Sequence, residues 1–91
     1  MKIGFIGLGK MGGNMVHRLL LNEHEVVAYD LSQDAIDEAV SKGASAANRF
    51  ENMISQLPER KVIWIMVPSG KPVDMTLEGL APLLNEGDII I

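Results

Sequence analysis

Three glycines spaced G-x-G-x-x-G (Gly7, Gly9 and Gly12) stand between an apolar run that reads as a strand and a run that reads as a helix. The run before them is Ile3-Gly4-Phe5-Ile6, and Asp30 follows 18 positions after the last glycine, at the end of a second apolar run, Val26-Val27-Ala28-Tyr29. Glycine pairs occur in many tight turns, and the bland reading is that these three serve only such a turn. Strand, helix and distal acid together are the context in which the pattern holds the pyrophosphate of a dinucleotide. Each part then has a physical task. Gly7 lets the chain turn sharply off the strand, Gly9 leaves room for a pyrophosphate at the backbone, and Gly12 lets the helix pack closely on the strand. The first helical N–H groups and the helix dipole favour the anion's charge. Asp30 can accept hydrogen bonds from the adenosine ribose hydroxyls.

Around this motif, strand and helix patterns alternate. Ile3 to Gly7 is expected to be strand one, and Lys10 to Leu21 a first helix, with Met11, Met15 and Leu19, and Val16 and Leu20, at helical spacing. Glu25 to Asp30 reads as strand two. Ser32 is placed to cap a second helix with the apolar stripe Ala35, Ile36, Ala39 and Val40, ended by Gly43. A short edge strand is expected around Ala44 to Ala46. A helix-like turn follows from Asn48 to Leu57, closed by Pro58, and a fourth strand from Lys61 to Val67. Pro72 suits the first turn of another helix through about Leu77, with Ala81 to Leu84 as a continuation. Asn85-Glu86-Gly87 reads as a turn before a fifth strand over Asp88 to Ile91. Alternation at this spacing implies parallel β-α-β units with right-handed crossovers. The expected fold is therefore α/β, a doubly wound parallel sheet of Rossmann type, incomplete, with about five strands in the order 3-2-1-4-5. Ligands of such sheets bind at the carboxyl ends of the strands where the order reverses, so Leu8 to Gly12 and Val67 to Gly70 should line one crevice.

Composition narrows the function classes. A 91-residue chain makes one small domain or part of one and buries only ~60–65% of its extended surface. The net charge of −4 offers no basic patch, so neither nucleic acid nor an anionic membrane is expected as a partner. With no cysteine there is no disulfide, thiolate metal site or thiol nucleophile. No segment reaches the ~18–20 apolar residues of a membrane span, and the start of the chain lacks a signal-peptide layout. A cytoplasmic setting is expected.

The block Gly7-Leu8-Gly9-Lys10-Met11-Gly12-Gly13-Asn14-Met15 resembles the G-L-G-x-M-G-x-x-M signature of the β-hydroxyacid dehydrogenase superfamily. The block Val62-Ile63-Trp64-Ile65-Met66-Val67-Pro68-Ser69-Gly70 is similar to the W-x-M-V-P-A-G segment of decarboxylating 6-phosphogluconate dehydrogenases, especially the short bacterial form. The resemblance covers the whole chain but only the N-terminal part of such an enzyme. It implies that Gly7, Leu8, Gly9, Lys10, Met11 and Gly12 hold the pyrophosphate, with Met11 near the nicotinamide. It further implies that Asp30, with Leu31 beside it, meets the adenosine ribose, and that Val67, Pro68 and Ser69 meet the nicotinamide-side ribose and ring. The implied activity is oxidative decarboxylation of 6-phosphogluconate to ribulose 5-phosphate with hydride transfer to NAD(P), NAD being expected over NADP. The implied partners are a small sugar-acid substrate and, for the full enzyme, further copies of itself in a homo-oligomer. In the family, a lysine base and an acidic residue lie in later segments. A substrate loop resembling G-G-x-S would begin after Ile91. No catalytic residue is therefore assigned here, and Lys10, Lys61 and Lys71 match no catalytic lysine.

Two readings stay open beside this one. One is another β-hydroxyacid dehydrogenase, of hydroxyisobutyrate or tartronate semialdehyde type; pyrroline-5-carboxylate reductase fits Asp30 and the Val67-Pro68-Ser69-Gly70 block less well. The other is a non-catalytic module that only holds a dinucleotide. Trp64 and the six methionines read mainly as packing residues. His17 and His24 have no partner at metal-ligand spacing. Asp34, Asp37 and Glu38 read as the wet face of the second helix. Relatives often carry glycine where this chain has Glu23, and the neighbouring Asn22 is expected to take the left-handed position that ends the first helix.

Overall fold

In the computed structural model, residues 2–57, 61–67, 70–84 and 87–91 are described. Strands and helices alternate as β1 (Lys2–Ile6), α1 (Lys10–Leu21), β2 (Glu25–Tyr29), α2 (Gln33–Ser41), β3 (Ser45–Ala46), α3 (Phe50–Gln56), β4 (Val62–Ile65), α4 (Lys71–Leu80) and β5 (Ile89–Ile90). A 3₁₀ turn, Ala81–Leu83, extends α4. The five strands form one sheet in the order β3-β2-β1-β4-β5, with every neighbouring pair parallel. This is the expected doubly wound arrangement, with the order reversing between β1 and β4.

The strand period of two sorts the core onto the two faces of the sheet. Phe5, Val26 and Ala28 pack with Leu8, Val16, Ile36 and Ala39 of α1, α2 and the loop before α1. Ile6, Val27 and Ile63 point the other way, onto Met53, Leu57 and Leu80. Helices therefore cover both faces, as buried parallel strands require. Trp64 is half-buried and stacks on Phe5, with ring centroids 6.0 Å apart and planes 15° apart, which bears out its reading as a packing residue. Met53 is fully buried, whereas Met75 is 60% exposed and so departs from the expectation of a core methionine. No helix among the described residues is long and apolar enough to cross a membrane.

Several boundaries move for physical reasons. Helix α1 spans the expected residues. Its end differs: Asn22 keeps φ −94, and Glu23 takes the left-handed position at φ 67. Asn22 instead turns its side-chain amide back to donate to the Arg18 carbonyl at 2.8 Å, the same carbonyl that its backbone N–H reaches at 3.1 Å. A non-glycine residue in this region is disfavoured by roughly 1–2 kcal/mol, so Glu23→Gly is expected to raise stability by about 0.5–1 kcal/mol, glycine's greater unfolded-state freedom offsetting the rest. Urea unfolding of the two chains checks this.

Ser32 caps α2 as expected, its hydroxyl accepting from the Ala35 N–H at 3.4 Å. Val40 falls outside the buried stripe, at 42% exposure, while Ile36 and Ala39 are buried. Helix α4 runs past Leu77 to Leu80, because Leu80 is the residue that reaches the core, fully buried in the cluster of α3 and β4. Strand β4 is shorter than expected. Its continuation keeps one bond, from Met66 N–H to the Ile6 carbonyl at 2.7 Å, and then leaves the ladder toward α4. The expected closure at Pro58 and the turn at Asn85-Glu86 lie outside the described residues.

Candidate functional site

The crevice lies at the carboxyl ends of β1, β2 and β4. Gly7 leaves β1 at φ 97, and a Cβ there would run into the Met66 carbonyl oxygen. Only glycine permits both the conformation and the close approach to the chain leaving β4. Its N–H stays bonded to the Tyr29 carbonyl at 3.0 Å, which ties the start of the loop to the end of β2.

Gly12 sits in the first turn of α1, where a Cβ would collide with the Gly7 carbonyl oxygen and stand 3.3 Å from the Phe5 ring. The helix is thus pressed onto the loop at that point. Gly9, between them, differs: a Cβ on it would meet nothing within 4 Å. Packing does not require glycine at position 9, so the open space in front of its backbone is the feature a bulky ligand group would use.

Helix α1 begins at that space. Gly9 is its N-cap residue, no side chain caps it, and its first turn holds no acidic residue. The other three helices each carry an acid there, namely Asp34, Glu51 and Asp74. The positive end of the α1 dipole is left uncompensated and faces the crevice side of the loop, as an anion site needs.

Across the crevice, Asp30 follows β2. Its Oδ2 accepts from the Leu8 N–H at 2.6 Å, in a half-buried setting, and its Oδ1 accepts from the Ser32 N–H at 2.8 Å. A carboxylate has about four lone-pair sites, so each oxygen retains capacity for a ligand hydroxyl. Leu31 is 94% exposed and stands at the rim.

Together these residues border a cleft of about 640 Å³ whose walls include Gly7, Gly9, Asp30, Leu31 and Val67 from the sequence-predicted set. The remaining walls are Ile6, Tyr29, Phe50, Met66, Pro72, Met75 and Thr76. Tyr29 and Phe50 meet at a tilt, with centroids 5.0 Å apart and planes at 57°. The Thr76 hydroxyl donates to the Pro72 carbonyl at 2.8 Å, so its proton is already engaged within α4. The result is an apolar slot with one carboxylate at its edge and one glycine-bounded opening at a helix start. A dinucleotide has the matching parts: flat rings for the slot, hydroxyls for the carboxylate and a pyrophosphate for the opening.

Leu8 departs from the expectation that residues 8 to 12 together line this crevice. Its side chain is buried in the α1–α2 core, and only its backbone N–H turns toward Asp30. Gly12 lies beneath the Gly7 carbonyl rather than at the opening. Lys10 and Met11 occupy the first positions of α1 by their backbone. Pro68 and Ser69 lie outside the described residues. Sequence reasoning placed none of Ile6, Tyr29, Phe50, Met66, Pro72, Met75 and Thr76 at the site. The signal for Met66 was its place at the end of β4, and for Met75 and Thr76 their place in the first turns of a helix leaving that strand. Nothing local marks Phe50.

Comparison with known proteins agrees with this geometry. Residues 2–91 match the family described as the NAD binding domain of 6-phosphogluconate dehydrogenase. The NAD(+)-dependent, decarboxylating 6-phosphogluconate dehydrogenase of Haloferax volcanii is 44% identical over 91 residues, which is 100% of this chain and 30% of that protein. The enzyme of the same description from Bacillus subtilis is 36% identical over 93 residues, covering 98% of this chain and 20% of that protein. Among solved structures, Mycobacterium tuberculosis 3-hydroxyisobutyrate dehydrogenase superposes with a TM-score of 0.85 and 24% identity over 98% of this chain and 30% of that one; at that identity it speaks for the fold alone. The chain thus spans about a third or less of the proteins it matches. The full-length match, the parallel sheet and the glycine-bounded crevice agree: this chain belongs to the family of NAD binding domains of 6-phosphogluconate dehydrogenase.

Proposed function

We propose that residues 1–91 form the N-terminal part of a dinucleotide-binding domain, the cofactor-holding portion of a decarboxylating 6-phosphogluconate dehydrogenase. The observation that carries this is the open space at Gly9, set between two glycines that packing does require and in front of an acid-free helix start. In this reading, the backbone from Gly7 to Gly12, Leu8, Lys10 and Met11 included, receives the pyrophosphate. Asp30, with Leu31 at the rim, takes the adenosine ribose hydroxyls. Val67, Pro68 and Ser69 border the nicotinamide half. When bound, the dinucleotide accepts hydride from a sugar acid; this chain's residues orient the cofactor and shield one side of it.

The base and acid of the reaction, the sugar-acid site and the helical domain belong to further chain. The setting proposed for this protein is cytoplasmic. The β5 edge, with Ile89, Ile90 and Ile91 exposed, is a template for strand pairing, and the 91-residue chain is expected to self-associate there. Sedimentation velocity at rising concentration checks this, and a monomer at all concentrations refutes it.

Calorimetric titration of NAD into the chain tests the cofactor reading: weak saturable binding is expected, and none would overturn it. Assay of the complete reading frame's product with 6-phosphogluconate and NAD tests the activity. Oxidation of hydroxyisobutyrate in preference to 6-phosphogluconate would move the assignment to the neighbouring dehydrogenases.

A further inference from the structure

We propose that Asp30 is also a positioning residue for the glycine loop: its carboxylate holds the Leu8 N–H and so sets the shape of the loop before any ligand arrives. The N–H groups of Gly7, Leu8 and Gly13 each have a definite acceptor. The Gly7 N–H continues the β1–β2 ladder to the Tyr29 carbonyl at 3.0 Å, and the Gly13 N–H is already inside α1, bonded to the Gly9 carbonyl at 2.8 Å. Leu8, a residue only 6% exposed, lies between ladder and helix, and its N–H has neither a strand carbonyl nor a helix carbonyl to meet. A half-buried donor left without an acceptor is costly. Asp30 Oδ2 meets it at 2.6 Å across 22 residues of chain, a short bond to an ionised acceptor, the stronger kind.

The same carboxylate is anchored from the other side. The Ser32 N–H donates to Oδ1 at 2.8 Å, and Ser32 itself caps α2. The α2 start, the end of β2 and the glycine loop are therefore joined through one side chain. Leu8 is fixed at two points, its side chain in the core and its N–H on Asp30, and Gly9, one residue later, inherits that placement.

The consequence is that ribose recognition and loop order are not separable at position 30. Replacing the acid to admit a 2′-phosphate would also release Leu8, so such a variant weakens its hold on both cofactors. This extends the reading of the loop as a pyrophosphate site and rests on it for its ligand arm, but not for its ligand-free arm.

Inorganic pyrophosphate has no ribose and separates the two roles. On charge alone, Asp30→Ala removes a negative group and should strengthen pyrophosphate binding; as a positioning residue, its loss should weaken binding at least threefold. Asp30→Asn keeps one acceptor oxygen for the Leu8 N–H while removing the charge, and is expected to bind pyrophosphate at least as well as the parent chain. In the ligand-free chain, the Leu8 amide proton is expected downfield in the parent and in Asp30→Asn. In Asp30→Ala its solvent exchange should rise at least tenfold, while Val27 and Ile63 amides stay protected.

Equal or tighter pyrophosphate binding by Asp30→Ala, or an unchanged Leu8 amide in that variant, would overturn the proposal while leaving the ribose reading standing. If the parent does not bind pyrophosphate, the loop's ligand reading fails and the Leu8 amide alone decides. Where Asp30→Ala loses protection at Val27 and Ile63, the decision passes to Asp30→Asn: a Leu8 amide kept downfield upholds the role, and its loss overturns it.

Discussion

Gly9→Val is expected to lower NAD affinity at least a hundredfold and leave thermal stability within about 2 °C of the parent, a shift that corresponds to only a few tenths of a kcal/mol for a domain of this size. The fold tolerates the change because a Cβ at this position meets nothing within 4 Å and because Gly9, at φ −52, is outside the left-handed region that demands glycine. Binding should not tolerate it, since the branched side chain would fill the space through which, in the proposed reading, a pyrophosphate reaches the loop and the first N–H groups of α1. A hundredfold loss is about 2.7 kcal/mol, a reasonable cost for excluding a charged group from its donors.

The contrasting variant is Gly12→Val, only three positions on. Its Cβ would collide with the Gly7 carbonyl oxygen and crowd the Phe5 ring at 3.3 Å, so α1 must lift off the loop. Overpacking of this kind costs about 1–3 kcal/mol or more, and here binding and stability should fall together. Calorimetry with NAD and thermal unfolding of both variants provide the check. Unchanged NAD affinity in Gly9→Val would refute the pyrophosphate assignment; a parental melting temperature in Gly12→Val would refute the close seating of the helix.

These two glycines also show what a sequence can and cannot convey. The G-x-G-x-x-G spacing marks both equally, and only the packed structure separates the one that permits close contact from the one that borders open space. Helix α1, the strand order and the Ser32 cap were legible because each rests on local pattern: helical spacing of Met15, Val16 and Leu19, alternation of elements, a serine before an apolar stripe. The end of α1 was not, because Asn22 had two ways to satisfy its neighbourhood. It bonded back to Arg18, and the left-handed turn passed to Glu23. The slot's far wall was also hidden. Phe50 and Met75 come to the crevice through the seating of α3 and α4 on the sheet, a matter of which face Met53 and Leu80 bury, and no motif records it. Nor does sequence show that Asp30 is already bonded to Leu8, since a contact across 22 residues of chain depends on β1 and β2 lying side by side in register.

That bonded Asp30 leads to the second large effect, a preference for NAD over NADP on the order of a hundredfold. The carboxylate is held at the end of β2 by two backbone N–H groups, so it cannot swing aside to admit a second anion without giving up both. A 2′-phosphate placed on the ribose would face it at close range, and like charges so juxtaposed in a binding site typically cost several kcal/mol. The residues that follow, Leu31, Ser32 and Gln33, carry no cation to offset that repulsion, where dinucleotide sites that accept the phosphate use an arginine. Gln33 is moreover turned away, its amide donating to Asp37 at 2.9 Å, and Lys42 pairs with Glu38 at 3.6 Å. Part of the repulsion is screened because the rim is open to solvent, so the discrimination should narrow as salt is raised from low to physiological strength. Parallel titrations of NAD and NADP at two ionic strengths measure both the preference and its salt dependence. Equal or tighter binding of NADP would refute the role given to Asp30, and Arg49, the residue before the slot's Phe50, would then be the first cation to substitute.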